Sequence, residues 1–224
     1  MIGGTGWVST EKYYRLLNEE TNKRLDGLNS AKIVLHSFNY AEIDKLNLAD
    51  DQAGVYKLVL DAAKKLSAAS VDCLMLCANT LHQFVDYLRE EIDLPIIHIA
   101  DAAASEITKY KLTKIGLLGT RATMEMDFYT KKLDEAGIES LVPGKPDREF
   151  IHNAIMGELL KENFRKETKA KFLNIIKELE QRGAQGIVLG CTEIPLIIKQ
   201  DDTHLPVFNT MELHAKAAIG FALG

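Results

Sequence analysis

Short apolar runs recur along the chain, separated by longer stretches in which apolar residues return every three or four positions. Lys32–Phe38, Cys73–Leu76, Pro95–Ile99, Lys114–Gly119, Gly186–Gly190 and Pro206–Asn209 are runs of the first kind. They are nearly continuous rather than alternating, which predicts strands covered on both faces, as in parallel sheets. Of the second kind, Val55, Leu58, Val59, Ala62, Ala63 and Leu66 fall on one stripe of a helix. Thr168–Gly183 forms another such stretch and closes on Gly183, where a helix takes its C′ glycine. Strand and helix in strict turn predict an α/β fold with right-handed crossovers.

The chain also repeats itself at long range. "GTGWVSTEKYY" (Gly4–Tyr14) and "GTRATMEMDFY" (Gly119–Tyr129) share an opening Gly-Thr and a closing aromatic pair at an offset of 115, from Gly4 to Gly119. "LPIIHI" and "LPVFNT" match at an offset of 111, from Leu94 to Leu205. Two similar α/β halves of about 110 residues each are the simplest reading. We therefore expect two pseudo-symmetric parallel-sheet α/β domains with the active site in the cleft between them. The first spans 1–104 with 208–224 and the second 105–207, the last helix packing back on the first half. The second half has about five residues of strand before Gly119. The first has only Met1-Ile2-Gly3 before Gly4, so either the chain start is shortened or that strand is unusually short.

Composition narrows the partners. Apolar residues make up 46% and charged residues 26%, ordinary usage for a soluble chain. A net charge of -5 argues against nucleic acid or an anionic membrane surface as partner. No apolar run approaches the roughly 18 residues of a membrane span, and the start carries no secretory signal pattern. Three cysteines, an odd number without a disulfide framework, suit a reducing, cytoplasmic setting.

Two of the thiols stand where strands break open: Cys77 in "LCANTLH" and Cys191 in "LGCTEIP". Ligands of open parallel sheets bind beyond the carboxyl ends of the strands. Thr5, Gly119 and Thr120 follow the first strand of each half, and Asn79, Thr80 and Thr192 follow a later one. Their backbone N–H groups and hydroxyls suit a small anion such as a carboxylate. The glycines match neither the phosphate loop nor the dinucleotide fingerprint. A thiol on each side of such a ligand suits removal of a proton from one face of a carbon and its return to the other. A cysteine pKa near about 8.5 is easily tuned for either step.

The segments "GGTGWVSTEKYYRLLNE", "HSFNYAEI", "CANTLH", "LPIIHIADA", "GLLGTRATMEMDFY" and "GAQGIVLGCTEIPLII" resemble, in order and spacing, the aspartate/glutamate racemase family of cofactor-independent amino-acid racemases. The resemblance covers nearly the whole chain. It implies no pyridoxal phosphate and no metal, a small amino acid as substrate, a homodimer as the family-level state, and a pair of catalytic cysteines. One of the pair stands before "NT" and the other in "GCT". Cys191 fits the second position, but the first is Ala78, with Cys77 one residue early. The internal repeat agrees. Aligning "CLML" with "GIVL" uses an offset of 113 and sets Ala78 opposite Cys191, whereas pairing the thiols needs 114. A one-residue slip in a strand turns a side chain to the other face.

The catalytic candidates are thus Cys191, with Cys77, Thr80 or a water near Ala78 serving the second face. Thr5, Asn79, Thr80, Gly119, Thr120, Thr123, Thr192 and Glu193 are candidates for holding the substrate, and Glu193 for holding the Cys191 proton. Plainer roles stand beside these: Cys191 as a small core residue, Thr80 as a helix cap, Glu193 as a cap on a backbone amide. Cys73 reads as core, and His82 and His98 lack a metal-ligand spacing. Rival readings are a decarboxylase or isomerase of a small diacid, and a protein that only binds a small anion, which Ala78 keeps open.

Overall fold

The structure, a computed structural model, describes residues 1–224. It divides into two compact units, Met1–His98 with His214–Gly224, and Ile99–Leu213. The strands of the first unit are β1 (Ile2–Gly3), β2 (His36–Ser37), β3 (Leu74–Met75) and β4 (Ile96–Ile97). Those of the second are β5 (Lys114–Gly119), β6 (Glu139–Leu141), β7 (Ile187–Gly190) and β8 (Val207–Asn209). The helices are α1 (Trp7–Leu25), α2 (Tyr40–Leu48), α3 (Gln52–Ala68), α4 (Val85–Glu91), α5 (Ile99–Lys109), α6 (Arg121–Glu125), α7 (Asp127–Glu135), α8 (Lys145–Gly157), α9 (Lys166–Gln181) and α10 (Thr210–Leu223).

Every strand pairing is parallel, as the apolar runs predict. The second unit orders its strands β6-β5-β7-β8. In the first unit, β1 pairs with β2 and β3 with β4, and an Ile2↔Leu76 bridge joins the two pairs. Its order is therefore β2-β1-β3-β4, the same topology on shorter strands. That shared order is the structural form of the sequence repeat.

The second unit explains why its strands read as unbroken apolar runs. Successive strand side chains point to opposite faces, and each face finds its own cover. Leu118, Ile187 and Leu189 pack with Ile151, Ile155 and Phe172 of α8 and α9. Ile115, Leu117 and Val188 pack with Ala103, Ile107, Tyr129 and Leu133 of α5 and α7. Burying each large aliphatic side chain contributes about 1.5–3 kcal/mol, so both faces are strongly specified. In the first unit Ile2, Leu74 and Leu76 meet Val55, Val59, Ala62 and Leu66, the predicted stripe of α3. Helix α3 starts at Asp51, whose carboxylate accepts the Gly54 N–H at 2.8 Å. Helix α9 stops at Arg182, followed by Gly183 at φ +98°.

Three sequence expectations change. Cys73, expected in the core, is only half-buried and lies just before β3. The run Lys32–Phe38 yields only the two residues of β2, with Lys32, Val34 and Leu35 exposed beside it. Strand β6 was not among the apolar runs; it is an edge strand of three residues, none of them buried. No helix is long and apolar enough to cross a membrane.

Candidate functional site

In the second unit, Gly119 of β5 lies in register with Gly190 of β7. The two strands end level, so Thr120 and Cys191 leave the sheet as neighbours. Both glycines are forced by a backbone carbonyl together with Thr123: a Cβ on Gly119 would stand 2.8 Å from Gly190 O, and one on Gly190 would stand 3.0 Å from Leu118 O. A Cβ on Gly119 would also lie 2.9 Å from Cβ of Thr123, and one on Gly190 would lie 3.0 Å from its Cγ2. Thr123, fully buried, thus presses its methyl and Cβ onto the paired strand ends. Its hydroxyl lies 3.1 Å from that of Thr120, the N-cap of α6.

Cys191 is only 6% exposed. Its thiol donates to Glu193 Oε2 at 3.0 Å, and the Thr192 hydroxyl donates to the same oxygen at 2.8 Å. Burial, then the charge and hydrogen bond of Glu193, push the thiol pKa well above its ordinary value. Against them work the backbone N–H groups of Glu193 and Ile194, which favour the thiolate. The sequence turns sharply enough after β7 to aim two amides and a carboxylate at one sulfur. Chemically this is a thiol beside a proton acceptor, in a cradle that stabilises the anion once the proton has moved.

In the first unit, β1 ends at Gly3, and Gly4 turns the chain at φ +88°. A Cβ there would stand 2.3 Å from both N and O of Phe38, so only glycine fits. The Gly4 N–H donates to Thr10 Oγ1 at 2.9 Å, pinning the turn to α1. Thr5 follows, half-buried, its hydroxyl oxygen shielded and without a hydrogen-bond partner. Beyond β3, Cys77 extends the ladder through its N–H to Ile2 O at 2.8 Å. Its side chain is 0% exposed, and burial drives its thiol up to about 12. Ala78 is extended and half-buried, and Asn79 and Thr80 open a short 3-10 turn, Asn79–Phe84. Asn79 is buried and Thr80 half-buried. The structure therefore brings Cys191, Thr192 and Glu193 together, and Gly119, Thr120 and Thr123 together. Cys77 is enclosed in its own unit.

Sequence reasoning passed over a third grouping. His82, His98 and His214 are all buried in the first unit, contributed by the turn after β3, the end of β4 and α10. His82 sits T-shaped against His98 at 4.8 Å and against His214 at 5.3 Å between ring centroids. No metal-binding group of histidine, cysteine or acidic residues is formed. Chain positions 82, 98 and 214 share no spacing that would have announced the cluster.

Residues 2–218 match the family description Asp/Glu/Hydantoin racemase. The chain is 41% identical to a solved candidate Asp/Glu racemase from Yersinia pestis, covering 100% of this chain and 97% of that one at a TM-score of 0.93. It is 34% identical to an aspartate racemase homologue from Pyrococcus horikoshii OT3, covering 100% and 98% at a TM-score of 0.85. Among curated relatives it is 25% identical to the broad specificity amino-acid racemase RacX of Bacillus subtilis (strain 168), over 75% of this chain and 73% of that one. A glutamate racemase of Aquifex pyrophilus is 28% identical over 65% of this chain, and the match spans little more than half of that protein, 56%.

Proposed function

The chain belongs to the Asp/Glu/Hydantoin racemase family and is an isomerase acting on amino acids; from that premise we propose that it inverts a small acidic amino acid, aspartate or glutamate, using Cys191. The observation that carries the role of Cys191 is its Sγ–H donating to Glu193 Oε2 at 3.0 Å. The Sγ–H bond breaks as Glu193 takes the proton, and the thiolate is held by the N–H groups of Glu193 and Ile194. The thiolate then takes the α-proton: the Cα–H bond breaks, an S–H bond forms, and the electron pair passes into the substrate carboxylate. A proton returned to the opposite face completes the inversion.

The return step falls to Thr80 or to a water near Ala78. Cys77 is the weaker candidate because its thiol is fully enclosed and held neutral up to about 12. Thr5, Asn79, Thr80 and Thr120 are the groups we assign to substrate binding. Thr192 and Thr123 act behind them, since their hydroxyls already engage Glu193 and Thr120. With no thiol at position 78, the two directions pass through unlike groups. Their rates differ, while their ratio of kcat/KM stays fixed by an equilibrium constant of one.

The test is α-hydrogen exchange in deuterated water across a panel of amino acids, with chirality read separately. Cys191→Ala abolishes exchange with aspartate and glutamate; persistent exchange refutes the role of Cys191. Ala78 also supports a second reading, a protein that binds an acidic amino acid without turning it over. A thermal shift with aspartate and no exchange in the unaltered chain would establish it.

A further inference from the structure

His82 is buried on all sides, and its Nδ1 lies 3.0 Å from the Ala78 carbonyl oxygen. A carbonyl only accepts, so Nδ1 carries the hydrogen, and in the neutral ring Nε2 is left as a lone-pair acceptor. That Nε2 is buried without any hydrogen-bond partner. An orphaned acceptor of this kind costs roughly what a lost hydrogen bond would contribute, so its retention calls for a reason. The neighbouring rings supply none through hydrogen bonding to it. They pack on it edge to face, His98 at 68° and His214 at 69°.

His214 is itself immobilised. Its Nε2–H donates to Ile97 O at 2.8 Å, which leaves Nδ1 to accept from the Tyr13 hydroxyl at 3.1 Å. Tyr13, fully buried on α1, also stacks T-shaped on that ring. A wall fixed at two atoms therefore backs the His82 ring, whose Nδ1–H faces the Ala78 carbonyl at 3.0 Å with the Asn79 carbonyl beside it. Holding the Ala78 oxygen fixes the whole plane of the 78–79 peptide, because the peptide is rigid and trans. The Asn79 N–H is then aimed to the opposite side, and the start of the Asn79–Thr80 turn is set.

We infer that His82 is a positioning residue: backed by His98 and His214, it clamps the Ala78–Asn79 peptide and so presents the Asn79–Thr80 turn to the substrate. The inference rests on the racemase reading for what that turn does, but not for the clamp itself. Burial and the two neighbouring imidazoles keep His82 neutral, outweighing the pull of the Ala78 and Asn79 carbonyls, so the clamp persists throughout the neutral range.

The experiment compares His82→Phe, which removes the donor and keeps a ring, with His82→Asn, whose amide nitrogen takes the place of Nδ1. Amide hydrogen exchange of the full chain is read by mass spectrometry on peptides covering 77–84 and 55–66. Loss of one net hydrogen bond predicts exchange about fivefold to tenfold faster in 77–84 for His82→Phe, no change in 55–66, and recovery in His82→Asn. In turnover, kcat falls about tenfold or more while KM moves less, again with recovery in His82→Asn. Unchanged exchange of 77–84 in His82→Phe overturns the inference. So does equal loosening of 55–66 in both variants, which marks a purely structural residue. If the unaltered chain exchanges no amino-acid α-hydrogen, the racemase reading fails, and the amide data still decide the clamp.

Discussion

Replacing Glu193 by glutamine separates the two things its carboxylate does to Cys191. Glutamine has nearly the same shape and retains an oxygen able to accept from both Cys191 and Thr192, now at 3.0 and 2.8 Å. It removes the charge and the capacity to hold a proton. Weakening a hydrogen bond to an ionised acceptor is worth about 1.5–3 kcal/mol, or about tenfold to a hundredfold in rate. Loss of a general base is worth about a hundredfold to ten-thousandfold. A fall in α-hydrogen exchange well beyond a hundredfold therefore identifies proton transfer, and not merely alignment of the thiol. The thiol itself should respond with the opposite sign. The charge and hydrogen bond of Glu193 both raise the Cys191 pKa, and the opposing N–H groups of Glu193 and Ile194 remain in the variant. The pKa falls, so alkylation of Cys191 by iodoacetamide, followed by mass spectrometry from pH 7 to 10, becomes faster in Glu193→Gln. Slower exchange with faster alkylation is the expected pair. Exchange at the unaltered rate, or both rates falling together, refutes the relay.

Ala78→Cys restores a thiol at the position that the internal repeat sets opposite Cys191. The share of deuterium incorporated with inversion should rise by about tenfold, and an unchanged ratio of inversion to retention counts against Ala78 facing the substrate. Acid should destabilise the first unit. The folded pKa of His214 is lowered to about 4 and that of His82 well below 6.5, so the unfolded chain binds more protons than the folded one between those limits. Stability is full above about pH 6.5 and is lost as the pH falls toward about 4, by roughly 3 kcal/mol from His214. Urea titrations from pH 7 to 4 measure this, and His214→Gln should flatten the slope by about one proton. Gly4→Ala meets both a left-handed backbone and Phe38 at 2.3 Å. It should cost about 3 kcal/mol or more and lower Tm on the order of 10 °C by calorimetry; an unchanged Tm would mean that the turn after β1 relaxes freely.

The interior of the fold was legible because burial on both faces writes unbroken apolar runs. Lys114–Gly119 is a strand over its whole predicted length, flanked by β6 and β7, with separate helices on its two faces. The edges were less legible, since an edge strand is partly exposed and need not be apolar. Glu139–Leu141 shows this by omission, and Lys32–Phe38 by excess, where an apolar run is left mostly outside the sheet. At the candidate site, Cys191, Thr192 and Glu193 were visible in sequence, with Glu193 as a candidate holder of the Cys191 proton, but the part of Thr192 in that arrangement was not. Only the turn after β7 reveals that both Cys191 and Thr192 donate to one carboxylate oxygen. The imidazole cluster was illegible for a different reason. Its members come from the ends of separate elements, and nothing local distinguishes a histidine that will meet two others from one left in solvent.

Thr123 and the two glycines beneath it occupy a space that the carbonyl oxygens of the paired strands also close. A methyl gained at 119 or 190 pushes on main chain as well as on Thr123, so the ends of the central strands spread and carry the sulfur off its proton acceptor. Trimming position 123 relieves only part of that crowding, so both strand ends should stay glycine whatever residue stands above them.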